Sequence, residues 1–279
     1  MFEWDHGIGS CGQREGIMEK VIKEEKKKPF LYRILYRIVR AVSPDYELEG
    51  EENVSGDPVI IVGNHTQMYG PVAGEMFMPR DNYIWCVHEM MDRKEAPEYS
   101  FNDFWSGKPG YIRWFYSILS KAIGPLCELI FKNSHTIAVY RDKRIITTVR
   151  DTLHRLREGY DVVIFPENSE KHNNILNGFH ENFVDIARFW YRESGKELRF
   201  VPMYICPDLD RIRFGEPVQY DHEAVLDDER KRITGLLQDS ITRMALSMPR
   251  HTVVPFLNVS KKDYPKNTPL EVYDEKTGI

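Results

Sequence analysis

The apolar positions change their spacing several times along the chain, and each change predicts an element of secondary structure. Between Phe30 and Val42 they recur at helical spacing opposite arginines, so an amphipathic helix is expected, with Pro29 in its first turn. Short runs rich in β-branched and aromatic residues predict strands at Val59–Val62, Tyr83–Val87, Ile137–Tyr140, Val162–Phe165 and Phe200–Ile205. Helical spacing returns at 145–156, 179–190 and 224–247.

This alternation of strands and helices is typical of α/β proteins. We therefore predict a single α/β domain, a largely parallel mixed sheet flanked by helices, with an N-terminal basic amphipathic helix ahead of it. The predicted organisation is a tail at 1–16, a basic amphipathic helical segment at 17–45, the α/β domain at 46–250 and a C-terminal tail at 251–279.

One long apolar segment, 111–131, allows two interpretations. Charged residues and Pro125 interrupt it, so it lacks the run of about 20 apolar residues that a transmembrane helix needs. The segment fits a buried helix pair that is broken at Gly124-Pro125. It fits equally well a segment that lies in the surface of a bilayer.

The charges are distributed unevenly, and this changes the interpretation of the first 40 residues. The 279-residue chain has 38 basic and 43 acidic residues and a net charge of −5, which excludes a generally basic nucleic-acid-binding protein. Residues 20–40 nonetheless hold eight Lys/Arg and two Glu, a local charge of +6. This pattern favours attachment to an anionic membrane surface. The alternative is a helix packed on its own domain with a solvated basic face.

The cysteines and the N-terminus predict the compartment. Cys11, Cys86, Cys127 and Cys206 lie far apart in the sequence and form no CxxC, so neither a disulfide framework nor a zinc site is expected. The first residues do not have the pattern of a secretory signal. We therefore predict a cytoplasmic protein, peripherally associated with the membrane, that has no resident metal or cofactor.

Polar residues follow three of the predicted strands. Asn64-His65 follows the first strand, and Arg141 and Glu167 each follow a later one. If these strands are parallel neighbours, the three positions converge on the carboxyl edge of the sheet, where α/β proteins carry their sites. A histidine there is suited to general-base catalysis because its pKa lies near neutrality. A lone histidine at a strand end is also commonly structural.

Four short blocks occur in a set order, namely Asn64-His65, Val139-Tyr140-Arg141, Phe165-Pro166-Glu167 and Val201-Pro202. In this order they resemble the phospholipid/glycerol acyltransferase superfamily, which the lysophosphatidic acid acyltransferases typify. Its pattern is NHxxxxD, an Arg after a strand, FPEGTRS, and an apolar Val-Pro block. The resemblance covers about residues 46–220, over half of the chain.

The resemblance implies a glycerolipid-acyltransferase-like fold and an O-acyltransferase. Such an enzyme moves a fatty acyl group from acyl-CoA or acyl carrier protein, as co-substrate, to a hydroxyl of a lyso-lipid or related acceptor. It implies that His65 is the general base and that no covalent acyl-enzyme forms. The substrate-binding residues that it implies are Asn64, Arg141, Glu167, Asn168 and Ser169.

The chain departs from the superfamily pattern at two important positions. Gly70 stands where the pattern has the Asp that orients the histidine, and Glu170 stands where it has an Arg that is expected to help hold an acceptor phosphate. We expect Gly70 to be the N-cap of the next helix, with Pro71 at its first position. Either another carboxylate, such as Glu75 or Glu89, orients the histidine, or the activity is slow, different or absent. The pattern suits a divergent acyltransferase with a different acceptor, and it also suits a catalytically degenerate protein that binds lipid or acyl chains.

Overall fold

The structure, a computed structural model, describes residues 28–105 and 109–269. Its contacts divide the chain into two units between Ser43 and Pro44. The predicted tail at 1–16, the lysines that precede Lys28 and the last ten residues of the predicted C-terminal tail lie outside the described residues.

The first unit contains one described helix, α1, Phe30–Val42, where the apolar spacing predicts it. The sequence predicts Pro29 in the first turn of this helix. In the structure Pro29 is the N-cap and lies just before that turn. Its exposed apolar side chains are Phe30, Leu31, Ile34, Ile38 and Val42. The helix therefore carries an exposed apolar surface.

The second unit contains the sheet and the remaining helices. The strands are β1 Glu47–Glu49, β2 Ile60–Gly63, β3 Asn82–Val87, β4 Thr136–Val139, β5 Asp161–Ile164, β6 Glu167–Lys171, β7 Asn177–Phe179, β8 Arg199–Cys206, β9 Arg211–Phe214 and β10 Val218–Gln219. The helices are α2 Tyr69–Met76, α3 His88–Met91, α4 Ala96–Ser100, α5 Gly110–Asn133, α6 Ile145–Arg157, α7 Asp185–Ser194 and α8 Leu226–Ser247. A π-helical turn covers Phe101–Trp105, and 3-10 turns lie at Glu51–Val54, Glu181–Val184 and Lys261–Asp263.

The main sheet has the strand order β1-β9-β8-β2-β5-β3-β4, and β10 also pairs with β8. β2 is parallel to both of its neighbours, with Ile60 opposite Val162 on β5 and opposite Phe200 on β8. β3 is parallel to β4 and β5, whereas β8 is antiparallel to β9 and β10. This mostly parallel, mixed sheet flanked by helices confirms the predicted fold class.

The core lies on both faces of the sheet because side chains alternate in direction along each strand. Ile60 and Val62 of β2 pack on one face with residues such as Leu156 of α6. Ile61, between them in the sequence, packs on the other face with Ala73 of α2. All residues of β2 and β5 are buried, which gives these two strands the central place in the sheet.

The predicted helix at 179–190 is wrong in its first half. Phe179 ends strand β7, where it pairs with Glu167 of β6, and a 3-10 turn at Glu181–Val184 precedes α7. The apolar spacing was misleading because the hairpin, the turn and α7 all contribute side chains to the same core; Phe179 and Phe183 are both buried.

α5 is one helix with a bend, where the sequence predicts a break. The parts Gly110–Lys121 and Ile123–Asn133 meet at an angle of 42°. Pro125 lies inside the helix and has no N–H to donate to the carbonyl four residues earlier, which accounts for the bend. Among the described residues no single helix is long and apolar enough to cross a membrane, although this bent pair meets both conditions together.

Candidate active site

Two of the predicted site residues meet at the carboxyl edge of the sheet. His65 lies just beyond the end of β2, and Glu167 begins β6 just beyond the end of the neighbouring β5. The backbone N–H of His65 donates to Oε1 of Glu167 at 2.7 Å, and the N–H of Asn177 donates to Oε2 at 2.8 Å. The buried carboxylate therefore ties the end of β2 to the β6–β7 hairpin.

Both groups titrate away from their ordinary ranges because they are buried. Burial raises the pKa of Glu167 to about 7, although its two backbone hydrogen bonds favour the charged form. Burial lowers the pKa of His65 to about 4, because no opposite charge offsets the desolvation of the imidazolium. His65 is accordingly neutral at pH 7.

The ring of His65 lies between two aromatic side chains. The rings of Phe165 and Phe256 each present an edge-type contact to it, with centroids 5.5 Å away. The Nδ1 atom is buried without a hydrogen-bond partner among the described residues, as is Oγ1 of the adjacent Thr66. Buried polar atoms are normally hydrogen-bonded, so these two consecutive residues each leave an unmet hydrogen-bonding group just beyond the end of β2.

The turn after His65 explains why Gly70 is a glycine. Thr66 and Gln67 have φ angles of 45° and 53°, the left-handed region, and the N–H of Gly70 donates to the His65 carbonyl at 3.1 Å. A Cβ on Gly70 would lie 2.1 Å from that carbonyl oxygen. No side chain, aspartate included, fits there unless the turn moves. The expected N-cap role is wrong, because α2 begins at Tyr69 and its N-cap is Met68.

Neither of the two acids proposed as substitutes contacts His65. Glu75 accepts a hydrogen bond from the N–H of His135 at 3.3 Å, next to the beginning of β4 and so at the opposite end of the sheet. Glu89 lies at the carboxyl end of β3, where it contacts a different histidine. Neither ring nitrogen of His65 has a carboxylate partner within the described ranges.

That second histidine, His88, has several charged partners. Its Nδ1 lies 3.0 Å from Glu89 Oε2, and its Nε2 lies 3.3 Å from Glu95 Oε2 and 3.1 Å from an Nη2 of Arg144. The ring also packs on Tyr140, with the centroids 4.7 Å apart. This cluster, which the sequence did not predict, joins the ends of β3 and β4.

Asn64, Asn168 and Ser169 have different surroundings. The Asn64 side chain is buried, and its amide both donates to the Ile205 carbonyl at 3.0 Å and accepts from the Ile205 N–H at 2.7 Å, which joins β2 to β8. Oδ1 of Asn168 accepts from the N–H of Glu170 at 2.8 Å within the hairpin. Ser169 is exposed.

Arg141 follows β4 at the same edge of the sheet but does not meet His65. β5 and β3 lie between β2 and β4, so the ends of these strands are about 14 Å apart at ordinary strand spacing. Arg141 is exposed. All three residues therefore lie at the predicted edge, but only His65 and Glu167, which follow neighbouring strands, come into contact.

The C-terminal segment adds residues that the sequence did not predict for this site. Residues 251–269, which were predicted to begin a tail, include Phe256 against the His65 ring. The Gln67 amide donates to the Leu257 carbonyl at 3.2 Å and accepts from the Tyr264 hydroxyl at 3.1 Å. No sequence motif indicates that Phe256 belongs to this site, because its contact with His65 joins residues nearly 200 positions apart.

A group of possible metal ligands lies away from this site. Glu197, Asp221 and His222 bring their ligand atoms within 4.8 Å of one another, beside the amino end of β8. Nδ1 of His222 is 2.9 Å from Oε1 of Glu197, so a hydrogen bond already accounts for these two groups. The group has no connection to the His65 turn.

No family model matches this chain, and no curated protein does. Among solved structures, the crystal structure of the 1-acyl-sn-glycerophosphate (LPA) acyltransferase PlsC from Thermotoga maritima is similar. The two chains are 14% identical, the match covers 85% of this chain and 84% of the other, and the TM-score is 0.47. Similarity at this level carries no inference about activity.

Proposed function

We propose that this protein is an acyltransferase that moves a fatty acyl group from acyl-CoA or acyl carrier protein to a hydroxyl of a lyso-lipid or related acceptor. The observation that carries the proposal is the pair of unpaired buried atoms, His65 Nδ1 and Thr66 Oγ1, at the carboxyl edge of the sheet. The ordered motif blocks supply the reaction class.

The ring of His65 is the proton acceptor in this mechanism. It is neutral at pH 7, so a ring nitrogen is free to take the proton from the acceptor hydroxyl, but a pKa of about 4 makes it a weaker base than the near-neutral histidine that the sequence predicted. The acceptor oxygen then forms a C–O bond to the thioester carbonyl carbon, and the C–S bond breaks. The departing thiolate takes the proton back from the imidazolium, so atoms and charge balance without a covalent acyl-enzyme.

The missing carboxylate sets an expectation for the rate. A carboxylate on the other ring nitrogen would hold one tautomer and stabilise the imidazolium, and losing that function in a serine-protease triad costs about 10⁴ in turnover. His65 has no such partner within the described ranges. We therefore expect slow turnover compared with an enzyme that has the orienting acid.

The other site residues have supporting roles in this proposal. Glu167 is a positioning residue, because its carboxylate holds the backbone of His65. Asn64 holds the end of β2 through Ile205. Asn168 and Ser169 line the acceptor side. Arg141, about 14 Å from the end of β2, binds an anionic group that lies far from the reacting carbonyl.

Thioester consumption across a panel of hydroxyl acceptors tests the proposal. His65→Ala is expected to lower turnover at least about hundredfold, the usual contribution of a general base. His154→Ala is the matched control, because this side chain is exposed in the last turn of α6, away from the carboxyl edge. Equal turnover by the wild type and His65→Ala would remove His65 from the mechanism.

A second candidate function is lipid or acyl-chain binding without turnover on the same fold. Gly70 favours it, because the turn leaves no space for the acid that the superfamily pattern places there. This candidate predicts lipid binding with no thioester consumption for any acceptor. Turnover that disappears in His65→Ala would exclude it as the sole function.

Peripheral attachment to an anionic membrane in the cytoplasm is also part of the proposal. α1 supports it with five exposed apolar side chains and with exposed Arg37 and Arg40. Vesicle binding that weakens with added salt, and weakens further in Arg37→Glu/Arg40→Glu, is the expected result. Binding that is unchanged by added salt and by the two substitutions would contradict the role of this helix.

A further inference from the structure

The amino-terminal half of α5, Gly110–Lys121, is here named the aromatic arm, and it exposes a row of large apolar side chains. Tyr111, Trp114, Phe115 and Ile118 are 78%, 66%, 53% and 59% exposed. Their spacing places them on one face of the helix. Contiguous exposed apolar surface of this kind usually marks an interaction site.

The opposite face of the aromatic arm contacts the protein itself. The ring of Tyr116 stacks on Trp105, with centroids 5.4 Å apart, and Ser120 one turn later is buried. The arm therefore has an inner face that is packed and an outer face that is open.

The position of the arm follows from where α5 ends. Asn133 lies three residues before β4 starts, so α5 ends near the amino edge of the sheet, and Ile123–Asn133 is about 16 Å long, close to the length of the strands. At the other end of that part, a Cβ on Gly124 would lie 2.6 Å from the carbonyl of Arg93, just after β3 and α3. The arm therefore extends beyond the carboxyl edge, the edge that carries His65.

The charges on the arm itself are basic, whereas acidic residues such as Glu98 and Asp142 are exposed on elements near it. Arg113 and Lys121 are exposed on it, and no acidic residue occurs between Gly110 and Cys127. Arg141 and Lys143 are exposed in the loop between β4 and α6. That loop meets α3 through Arg144 and His88, whose Nη2 and Nε2 are 3.1 Å apart, and α3 packs against α5.

We propose that the aromatic arm binds the surface of a lipid bilayer that contains anionic lipids and holds the carboxyl edge of the sheet towards it. Tyr and Trp prefer the membrane–water interface, and the basic residues complement anionic headgroups. A second copy of the chain fits less well, because a two-fold contact through this face would bring like charges together. Binding in this manner does not depend on acyl transfer.

Flotation of the full chain with vesicles of phosphatidylcholine and phosphatidylglycerol at 3:1 tests the proposal. The triple variant Trp114→Ser/Phe115→Ser/Ile118→Ser is expected to bind at least about tenfold more weakly than the wild type. The matched control, Phe189→Ser/Val225→Ser/Leu236→Ser, changes three apolar residues that are exposed elsewhere, and its binding is expected to stay within about twofold of wild type.

Three outcomes overturn the proposal. Wild-type binding by the arm variant would assign attachment to another surface, such as α1. Equal weakening by the control variant would mean that exposed apolar residues act anywhere on the chain. A wild type that self-associates without vesicles, together with a monomeric arm variant, would assign the face to a second copy.

A conservative variant separates contact with lipid from loss of folding. Trp114→Phe keeps the apolar surface, so vesicle binding is expected to remain within about twofold of wild type. With vesicles of brominated lipid, the wild type is expected to lose tryptophan fluorescence that Trp114→Phe does not lose. Identical quenching of the two proteins would show that Trp114 does not enter the bilayer. Neither assay measures thioester turnover, so these outcomes test membrane binding separately from the proposed reaction.

Discussion

His65 and His88 lie at the same edge of the sheet, after β2 and β3 respectively, yet their surroundings are opposite. His65 lies against the rings of Phe165 and Phe256 and has no charged partner at its ring within the described residues. His88 has two carboxylates and a guanidinium within 3.3 Å of its ring nitrogens. His65, the histidine of the Asn64-His65 block, is thus the one whose ring has no charged neighbour among the described residues.

The difference comes from what covers each part of the edge. β2 and β5 are central strands, and the β6–β7 hairpin and the C-terminal segment pack over their carboxyl ends. β3 and β4 lie at the side of the sheet, where α3 and the loop after β4 remain close to solvent. Charged side chains are stable at the exposed side, whereas burial at the centre favours aromatic neighbours and a neutral ring.

The largest expected effect comes from giving His65 the carboxylate that His88 has. In Gly70→Asp the new Cβ would meet the His65 carbonyl at 2.1 Å, so we expect a loss of at least about 4 kcal/mol in the free energy of unfolding, or no folded protein. Urea denaturation followed by circular dichroism measures it.

Two further variants check that the cause is steric. Gly70→Ala is expected to lose a similar amount, because the contact is made by the Cβ itself. Gly235→Ala, in α8 with open space around the position, is expected to be neutral or stabilising by up to about 1 kcal/mol. A folded Gly70→Asp with raised turnover would instead show that the turn can accept an orienting acid.

The second effect is the contribution of the buried His65 to the pH dependence of stability. The pKa of His65 falls from an ordinary 6.5 to about 4 in the folded protein, so the unfolded chain binds the proton first. Stability is then lost as the pH falls from 6.5 to about 4, by about 3 kcal/mol at pH 4 relative to His65→Gln. Urea denaturation at pH 7, 5.5 and 4 measures this difference.

Comparison with His65→Gln isolates this effect from that of Glu167. Burial raises the pKa of Glu167 from 4.5 to about 7, so its contribution has the opposite sign and weakens the fold as the pH rises through that range. Glu167 is present in both proteins. An exposed-site control, His180→Gln, is expected to follow the wild type at every pH. Parallel curves for the wild type and His65→Gln would contradict the burial of a neutral ring.

The smallest effect is expected at His88. Its partners Glu95 and Arg144 have side chains about half exposed, so His88→Gln is expected to change the free energy of unfolding by less than about 1 kcal/mol. Turnover is expected to stay within about threefold of wild type, in contrast to His65→Ala. The reverse result, an inactive His88→Gln and an active His65→Ala, would move the proton-accepting role to the charged cluster.

Several features of the fold and site were predictable because they depend on residues near one another in sequence. The apolar spacing predicted five strands to within about one residue at each end, together with α1, α6 and α8. The polar residues at the ends of β2 and β5 predicted that His65 and Glu167 would share an edge. Parallel strands of one sheet have their carboxyl ends at the same edge, so this local pattern was sufficient.

The rest depended on contacts between residues far apart in the chain. The order of strands, with β5 and β3 between β2 and β4, separated Arg141 from His65. The direction of Glu75 and the approach of Phe256 likewise followed from the packing of whole elements. The apolar spacing therefore determined which elements form, because the apolar positions of an element depend only on which of its own faces is buried. The tertiary structure decided that the His65 ring is neutral and has no carboxylate partner among the described residues, because long-range packing sets the surroundings of a side chain.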